Sequence, residues 1–280
     1  MQRISKRRQQ LHTDEKMEGN AVASLTNAEI MRIALEQSAL DCNCSVEDFF
    51  RKEPVVTVSR AHPEARKYLP LPFACDMVSY GGNVVAQTSP ELARPVEEYL
   101  RRYPAAHVFE TPHLHALDDL LRPYGLKSCF MAEYFLPDVE RLRRRPCELE
   151  LRILRPEDFG ALYTPEWSNA LCEKRKELDV LAVGAYDGGK LAALAGCSAD
   201  CGQMYQIGVD VLPAYRGRGL SSVLTSRLAE EILAMGKVPF YCAAWSNIRS
   251  VRNAIACGFK PAWVELTARE LSLIDQLNRP

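Results

Sequence analysis

The chain has 280 residues, 47% of them hydrophobic and 25% charged, a globular composition with apolar material for two domains of ordinary size. Its 35 Lys and Arg nearly balance 36 Asp and Glu, which excludes a global field that would recruit nucleic acid or an anionic membrane. No run approaches the roughly 20 apolar residues that span a bilayer, and Met1 to Lys16 lacks the apolar core of a secretion signal, so a cytoplasmic setting is expected.

The first segment, residues 1–25, carries a basic cluster at Arg3, Lys6, Arg7 and Arg8 and no periodicity; it reads as a flexible tail. Thr26-Asn27-Ala28-Glu29 is a capping-box pattern, and a helix is expected from there toward Leu40. Short β-branched runs follow at Val55 to Val58, Met77 to Tyr80 and Val84-Val85. Ser89-Pro90 and Thr111-Pro112 then open two helices, with a strand expected near His107 between them. Gly125 stops the second helix, and a strand from Cys129 to Phe135 closes a unit placed at residues 26–145.

The run Glu140-Arg141-Leu142-Arg143-Arg144-Arg145-Pro146 reads as a solvated linker to a second unit at residues 146–268. A strand at Leu149 to Leu154 and a helix from Pro156 begin this unit. A hairpin turning at Asp187-Gly188-Gly189-Lys190 comes next, because Asp-Gly between apolar alternations favours that turn. The strand Met204 to Leu212 meets a Gly-rich turn, and a helix runs from Leu220 to Met235. A strand at Val238 to Ala243, a helix at Ile248 to Ala256 and a strand after Gly258-Phe259 complete a mixed α/β domain, leaving 269–280 as a tail. Ten scattered cysteines, mostly inside apolar runs, read as buried thiols. Neither close pair, Cys42-x-Cys44 or Cys197-x-x-x-Cys201, has convincing zinc spacing, so no metal is expected.

The chemistry concentrates where the strand ending at Leu212 enters the turn of Gly217 and Gly219 and then a helix. Glycines allow close backbone approach, and unpaired amides at a helix start carry a partial positive charge of about half a unit. Arg216 and Arg218 add formal charge that suits a pyrophosphate. The spacing matches neither the ATP-binding loop nor the dinucleotide fingerprint.

Arg216-Gly217-Arg218-Gly219-Leu220-Ser221 resembles the signature of the GNAT superfamily of acyl-CoA-dependent N-acyltransferases, with Ser221 at its last small position. Trp245-Ser246-Asn247, Ser250 and Gly258-Phe259 extend the resemblance over about Cys147 to Thr267. It implies that the amides of Gly217, Arg218, Gly219, Leu220, Ser221 and Ser222 cradle the pyrophosphate of acetyl-CoA or another acyl-CoA. Val209, Val211 and Asn247 would then meet the pantetheine arm. It implies N-acylation of a small-molecule or peptide amine by direct attack, and a homodimer is compatible with it. The family's frequent strand Glu is missing from Gln203 to Gln206, which leaves Asp210, or water relayed by Tyr205 or Gln206, as candidate proton acceptors. Ala254 stands where many relatives carry a Tyr acid.

Glu166, Trp167 and Asn169 are candidate acceptor-binding residues, because an aromatic surface with acids suits a cationic amine. The first half loosely repeats the strand and helix order without the Gly-rich turn, which suggests a degenerate GNAT-like copy that shapes the acceptor cleft. The missing base and acid keep a non-catalytic acyl-CoA sensor open as an alternative, and the basic clusters keep an aminoacyl-tRNA-dependent transferase open.

Overall fold

The computed structural model describes residues 25–279, so the expected flexible tail lies outside the described residues except at its end. Thr26 Oγ1 accepts from the Glu29 amide at 3.2 Å, and the Glu29 carboxylate accepts from the Thr26 amide at 2.8 Å. This capping box satisfies donors that a helix start leaves unpaired, and α1 (Asn27–Asp41) follows.

The first half continues with β1 (Val55–Val58), β2 (Cys75–Ser79), β3 (Val84–Thr88), α2 (Ala93–Leu100), α3 (Thr111–Leu121) and β4 (Leu126–Pro137). Gly125 adopts a left-handed φ of 72° and ends the turn after α3. The strand expected near His107 does not form. Its backbone closes local turns instead, from His107 N to Pro104 O and from Glu110 N to His107 O.

The second half contains β5 (Glu150–Leu154), β6 (Asp179–Asp187), β7 (Lys190–Ser198), β8 (Met204–Val211), α4 (Leu220–Ala234), β9 (Val238–Ala244), α5 (Ile248–Ala256), β10 (Phe259–Glu270) and α6 (Leu271–Leu277). Two expectations are corrected here. The helix expected from Pro156 is a series of short 3-10 turns spread over residues 156–178. The expected C-terminal tail contains α6, anchored where Leu271 N donates to Gly125 O.

The ten strands of the described residues form one mixed sheet in the order β1-β3-β2-β10-β4-β9-β8-β7-β6-β5. The fold class is therefore mixed α/β, as expected, but the two halves interleave. Strand β10 of the second half lies between β2 and β4 of the first, and β4 in turn pairs with β9. Each half holds one parallel pair, β1 with β3 and β8 with β9, in an otherwise antiparallel sheet.

Because side chains alternate along a strand, each face of β8 has its own cover. Ile207, Val209 and Val211 pack toward α4, whereas Gly208 and Asp210 meet the 156–178 turns. On that second face, further along the sheet, α1 covers Phe240, Tyr134 and Trp263. The linker is exposed, as expected, and tethered as well: Arg144 pairs with Glu230 at 3.0 Å and Arg145 donates to Ala256 O.

Candidate functional site

Strands β8 and β9 run parallel but pair only over Met204–Val238, Tyr205–Pro239 and Gln206–Phe240. Beyond Gln206 they part. Leu212 N donates to Ala192 O, which sets the phase of the antiparallel β7–β8 ladder: the amides and carbonyls of 208 and 210 face β7, and those of 207, 209 and 211 face the gap toward β9. Val209 and Val211 thus present backbone polar groups to an opening with no partner strand. Val211 O accepts there from Arg216 Nε at 3.0 Å.

The gap leads to the Gly-rich turn. Gly217 and Gly219 hold φ of 79° and 77°, a region that L side chains rarely enter, and a Cβ on either would project into open space. Gly219 is the N-cap of α4 and supplies no side-chain acceptor. The first backbone bond of the helix runs from Val223 N to Gly219 O. Among the described residues, no protein acceptor takes the amides of Gly217, Arg218, Gly219, Leu220, Ser221 or Ser222. Six successive donors at the positive end of a helix dipole form an anion cradle.

A cavity of about 540 Å³ adjoins this turn, lined by Cys147, Leu149, Arg218, Leu220 and Val223 among others. Arg218 lies over the Tyr215 ring at 5.3 Å, and Tyr215 donates to Asp187 at 3.0 Å. Ser222 serves the scaffold with its hydroxyl, which donates to Asn253 Oδ1 at 2.9 Å and ties α5 to α4. Asn247 caps α5 by accepting from Ser250 N at 3.2 Å.

The candidate catalytic and acceptor residues fare differently. The Asp210 carboxylate accepts from the Asn169 and Ala170 amides, each at 2.9 Å, and from Asn169 Nδ2 at 2.6 Å. It clamps the turn to the sheet, so it positions the site and is not free to act as a base. Asn169 shares that clamp. Tyr205 stands where β8 and β9 are still paired, its side chain packed toward the α4 core, away from the opening. Trp167 is 7% exposed and packs with Leu154, Phe159, Leu171 and Leu194, which makes it core and not an acceptor surface. Glu166 is exposed on the same short turn.

Two residues that sequence reasoning passed over explain this arrangement. Gly196 and Gly208 face each other across β7 and β8. A Cβ at Gly208 would stand 1.8 Å from Asn169 O, and one at Gly196 would stand 2.1 Å from Ala170 O. Glycine inside a strand marks close backbone approach, and here it seats the turn directly on the sheet.

Beside that seat lies a polar cavity of about 150 Å³ lined by Asn169, Arg175, Asp179, Ser198, Gln206 and Gly208 among others. Asp179 is 3% exposed, and burial pushes its carboxyl up to about 6, only partly offset by the Cys172 amide, the Tyr163 hydroxyl and Arg175. Asp200, the other buried acid nearby, is held by Arg175 at 2.8 Å and Ser198 at 2.7 Å. The Cys242 thiol is pushed up to about 11 by burial, which argues against an acyl-cysteine route at neutral pH.

Residues 182–267 match the family model described as FR47-like protein. The match falls within the second half of the chain. Its matched span runs from β6 through β10, taking in the β8–β9 gap and the Gly-rich turn. Among solved structures, the chain is similar to a GNAT-family protein from Novosphingobium aromaticivorans DSM 12444, at 21% identity over 51% of this chain and 66% of that one, TM-score 0.38. That is just under two thirds of the Novosphingobium protein's length. A GCN5-related N-acetyltransferase-like protein from Streptococcus suis 89/1591 is 20% identical over 56% of this chain and 69% of its own, TM-score 0.42. A tandem GNAT protein from the clavulanic acid biosynthesis pathway is 16% identical over 88% of this chain and 97% of its own, TM-score 0.43. No curated protein matches the sequence. Among the described residues no helix is long and apolar enough to cross a membrane, and no group of three or more metal-ligating side chains gathers.

Proposed function

We propose that the protein transfers an acyl group from an acyl-CoA, acetyl-CoA being the first donor to test, to a primary amine in a ternary complex. The observation that carries this reading is the row of six unpaired amides at the mouth of the β8–β9 gap. The row suits a diphosphate, and the backbone groups of Val209 and Val211 suit an amide-bearing arm lying in the gap. Arg216 and Arg218 add charge at the rim, and the Asn247 amide adds a polar group beyond β9.

In the transfer, the amine nitrogen attacks the thioester carbonyl, the new C–N bond forms, the C–S bond breaks, and the amine gives up a proton. CoA departs as a thiolate; a thiol with a pKa near 8.5 leaves without prior protonation, so Ala254 in place of an acid does not stop the reaction. Both oxygens of Asp210 and of Asp200 are engaged, whereas Asp179, held at Oδ2 by the Cys172 amide at 2.9 Å, lines the polar cavity and is the carboxylate assigned to take the amine's proton through a water there. All ten cysteines are free, which suits a reducing cytoplasmic setting.

A coupled assay for free CoA thiol, run with acetyl-CoA and a panel of primary amines, is expected to show amine-dependent release. The engaged Asp210 and the absent Tyr at 254 favour one competitor, a non-catalytic acyl-CoA sensor. CoA binding by calorimetry without thiol release from any amine would establish the sensor, and no CoA binding at millimolar ligand would remove both readings.

The pH dependence tests Asp179. A base must be ionised, so kcat/KM expressed per neutral amine is expected to rise with unit slope up to about pH 6 and then level. Asp179→Asn should lose this limb and lower kcat by about 10²-fold or more. Stability moves oppositely: a carboxyl raised from 3.8 to about 6 binds its proton more tightly in the folded state. The burial cost is therefore full above pH 6 and fades toward pH 4. The Asn variant should accordingly gain in Tm over the parent at pH 7 and lose that gain near pH 4.

A further inference from the structure

On the opposite flank of β9 from the acyl-CoA gap, at the seam of the two halves, lies a groove of about 310 Å³. Its apolar lining includes Phe109 and Ala106 from the segment before α3, Val264 from β10, and Trp245 from the turn after β9. Glu133 of β4 lies opposite Ala243 and Val264 in the sheet register and also lines the groove. Glu133 has no hydrogen-bond or ion-pair partner among the described residues, and burial alone holds its pKa above the ordinary value. No Lys, Arg or His lines the groove, and its other acid, Glu110, is already held by His107 at 2.6 Å. Trp245 is 45% exposed at the rim, unusual for a large aromatic with nothing packed over it.

A half-buried carboxylate without a cation, set among aromatic and aliphatic walls, is complementary to one class of small molecule. Neutral apolar ligands would leave the carboxylate desolvated and unpaired, which disfavours them. Anions are repelled. An organic ammonium supplies the missing charge, and its hydrocarbon body takes the apolar walls, with the Trp245 face available to the cation. We infer that this groove is a recognition site for a cationic amine with an apolar body, of the size of benzylammonium. Nitrogen held by Glu133 is protonated and has no lone pair for attack, so the groove is not the seat of the reacting amine. It binds an ammonium group that stays charged, and it does not depend on the acyl-transfer reading.

The probe is benzylammonium, with benzyl alcohol as its neutral isostere, titrated into the full chain at pH 7 and followed by tryptophan fluorescence and calorimetry. Benzylammonium is expected to bind at least tenfold more tightly than the alcohol. Glu133→Gln should erase that preference, and Trp245→Ala should weaken both ligands. The Glu133 side chain makes no bond that folding needs, so the Gln variant should keep the parent's circular dichroism and its affinity for acetyl-CoA. Equal binding of the two probes, no binding at millimolar concentration, or a preference that survives in Glu133→Gln would each overturn the site. Acetyl-CoA titrated separately reports on the acyl-CoA cleft alone, so failure of one site is distinguishable from failure of the other.

Discussion

Gly219→Val is expected to weaken acetyl-CoA binding about 100-fold or more while the protein stays folded. Position 219 holds φ 77°, and a Cβ there meets no protein atom within 4 Å. The fold therefore has room for the side chain, but the conformation does not suit it. A left-handed backbone costs an ordinary L residue about 1–2 kcal/mol, and β-branching makes it worse. Either the side chain stays and occupies the space a diphosphate would fill, or φ relaxes and swings the 217–220 amides out of convergence. Losing two hydrogen bonds to a charged group, at about 1.5–3 kcal/mol each, accounts for the expected loss on its own. Gly219→Ala should fall between, because it adds the strain with a smaller obstruction. Calorimetry with acetyl-CoA checks both, alongside a urea melt. Unchanged affinity in the Val variant would mean that the amide row is not the binding site.

Local chemistry was readable in the sequence; long-range geometry was not. Thr26 with Glu29, Asp187-Gly188 and the Gly217-x-Gly219 turn each act within a few residues, and each forms in the structure as its chemistry demands. The exchange of β4 and β10 between halves had no local cue, because an apolar run announces a strand without naming its neighbour. The 156–178 segment misled for a related reason. Pro156 and the following apolar residues satisfy a helix pattern, but the carbonyls of Asn169 and Ala170 must reach Gly208 and Gly196, and short turns follow that surface where a helix cannot. Two strand glycines were the available clue. Asp179 carried none, since its role comes from the cavity that the seated turn encloses. Trp167 was misread because an aromatic between acids resembles a binding surface until the core beneath it is known.

Arg66→Leu is expected to cost about 3–5 kcal/mol of stability, the range for removing one partner of a buried ion pair. Arg66 is 2% exposed; it pairs with Asp41 at the end of α1, reaches Glu265 of β10 at 3.2 Å and donates to Tyr68 at 2.7 Å. It thus joins the first half to the strand that the second half inserts. Removing it strands the buried carboxylates of Asp41 and Glu265 and withdraws a cation that favours ionisation of Asp76, whose carboxyl burial and the neighbouring Glu265 already push up. Without Arg66, Asp76 would hold a proton in the folded state more tightly than the unfolded chain does. The deficit should therefore be largest at pH 7 and shrink toward pH 5, and Arg66→Leu combined with Asp41→Asn and Glu265→Gln should recover much of it. Urea melts at the two pH values check the sign. The neighbouring backbone links this to function: Lys67 N donates to Asp200 O at 2.8 Å, and Tyr68 lies 5.9 Å from the Arg175 guanidinium that holds Asp200. Loosening Arg66 should then raise KM for the amine while leaving acetyl-CoA affinity unchanged, because the amide row at α4 lies on the other side of β8 from this loop.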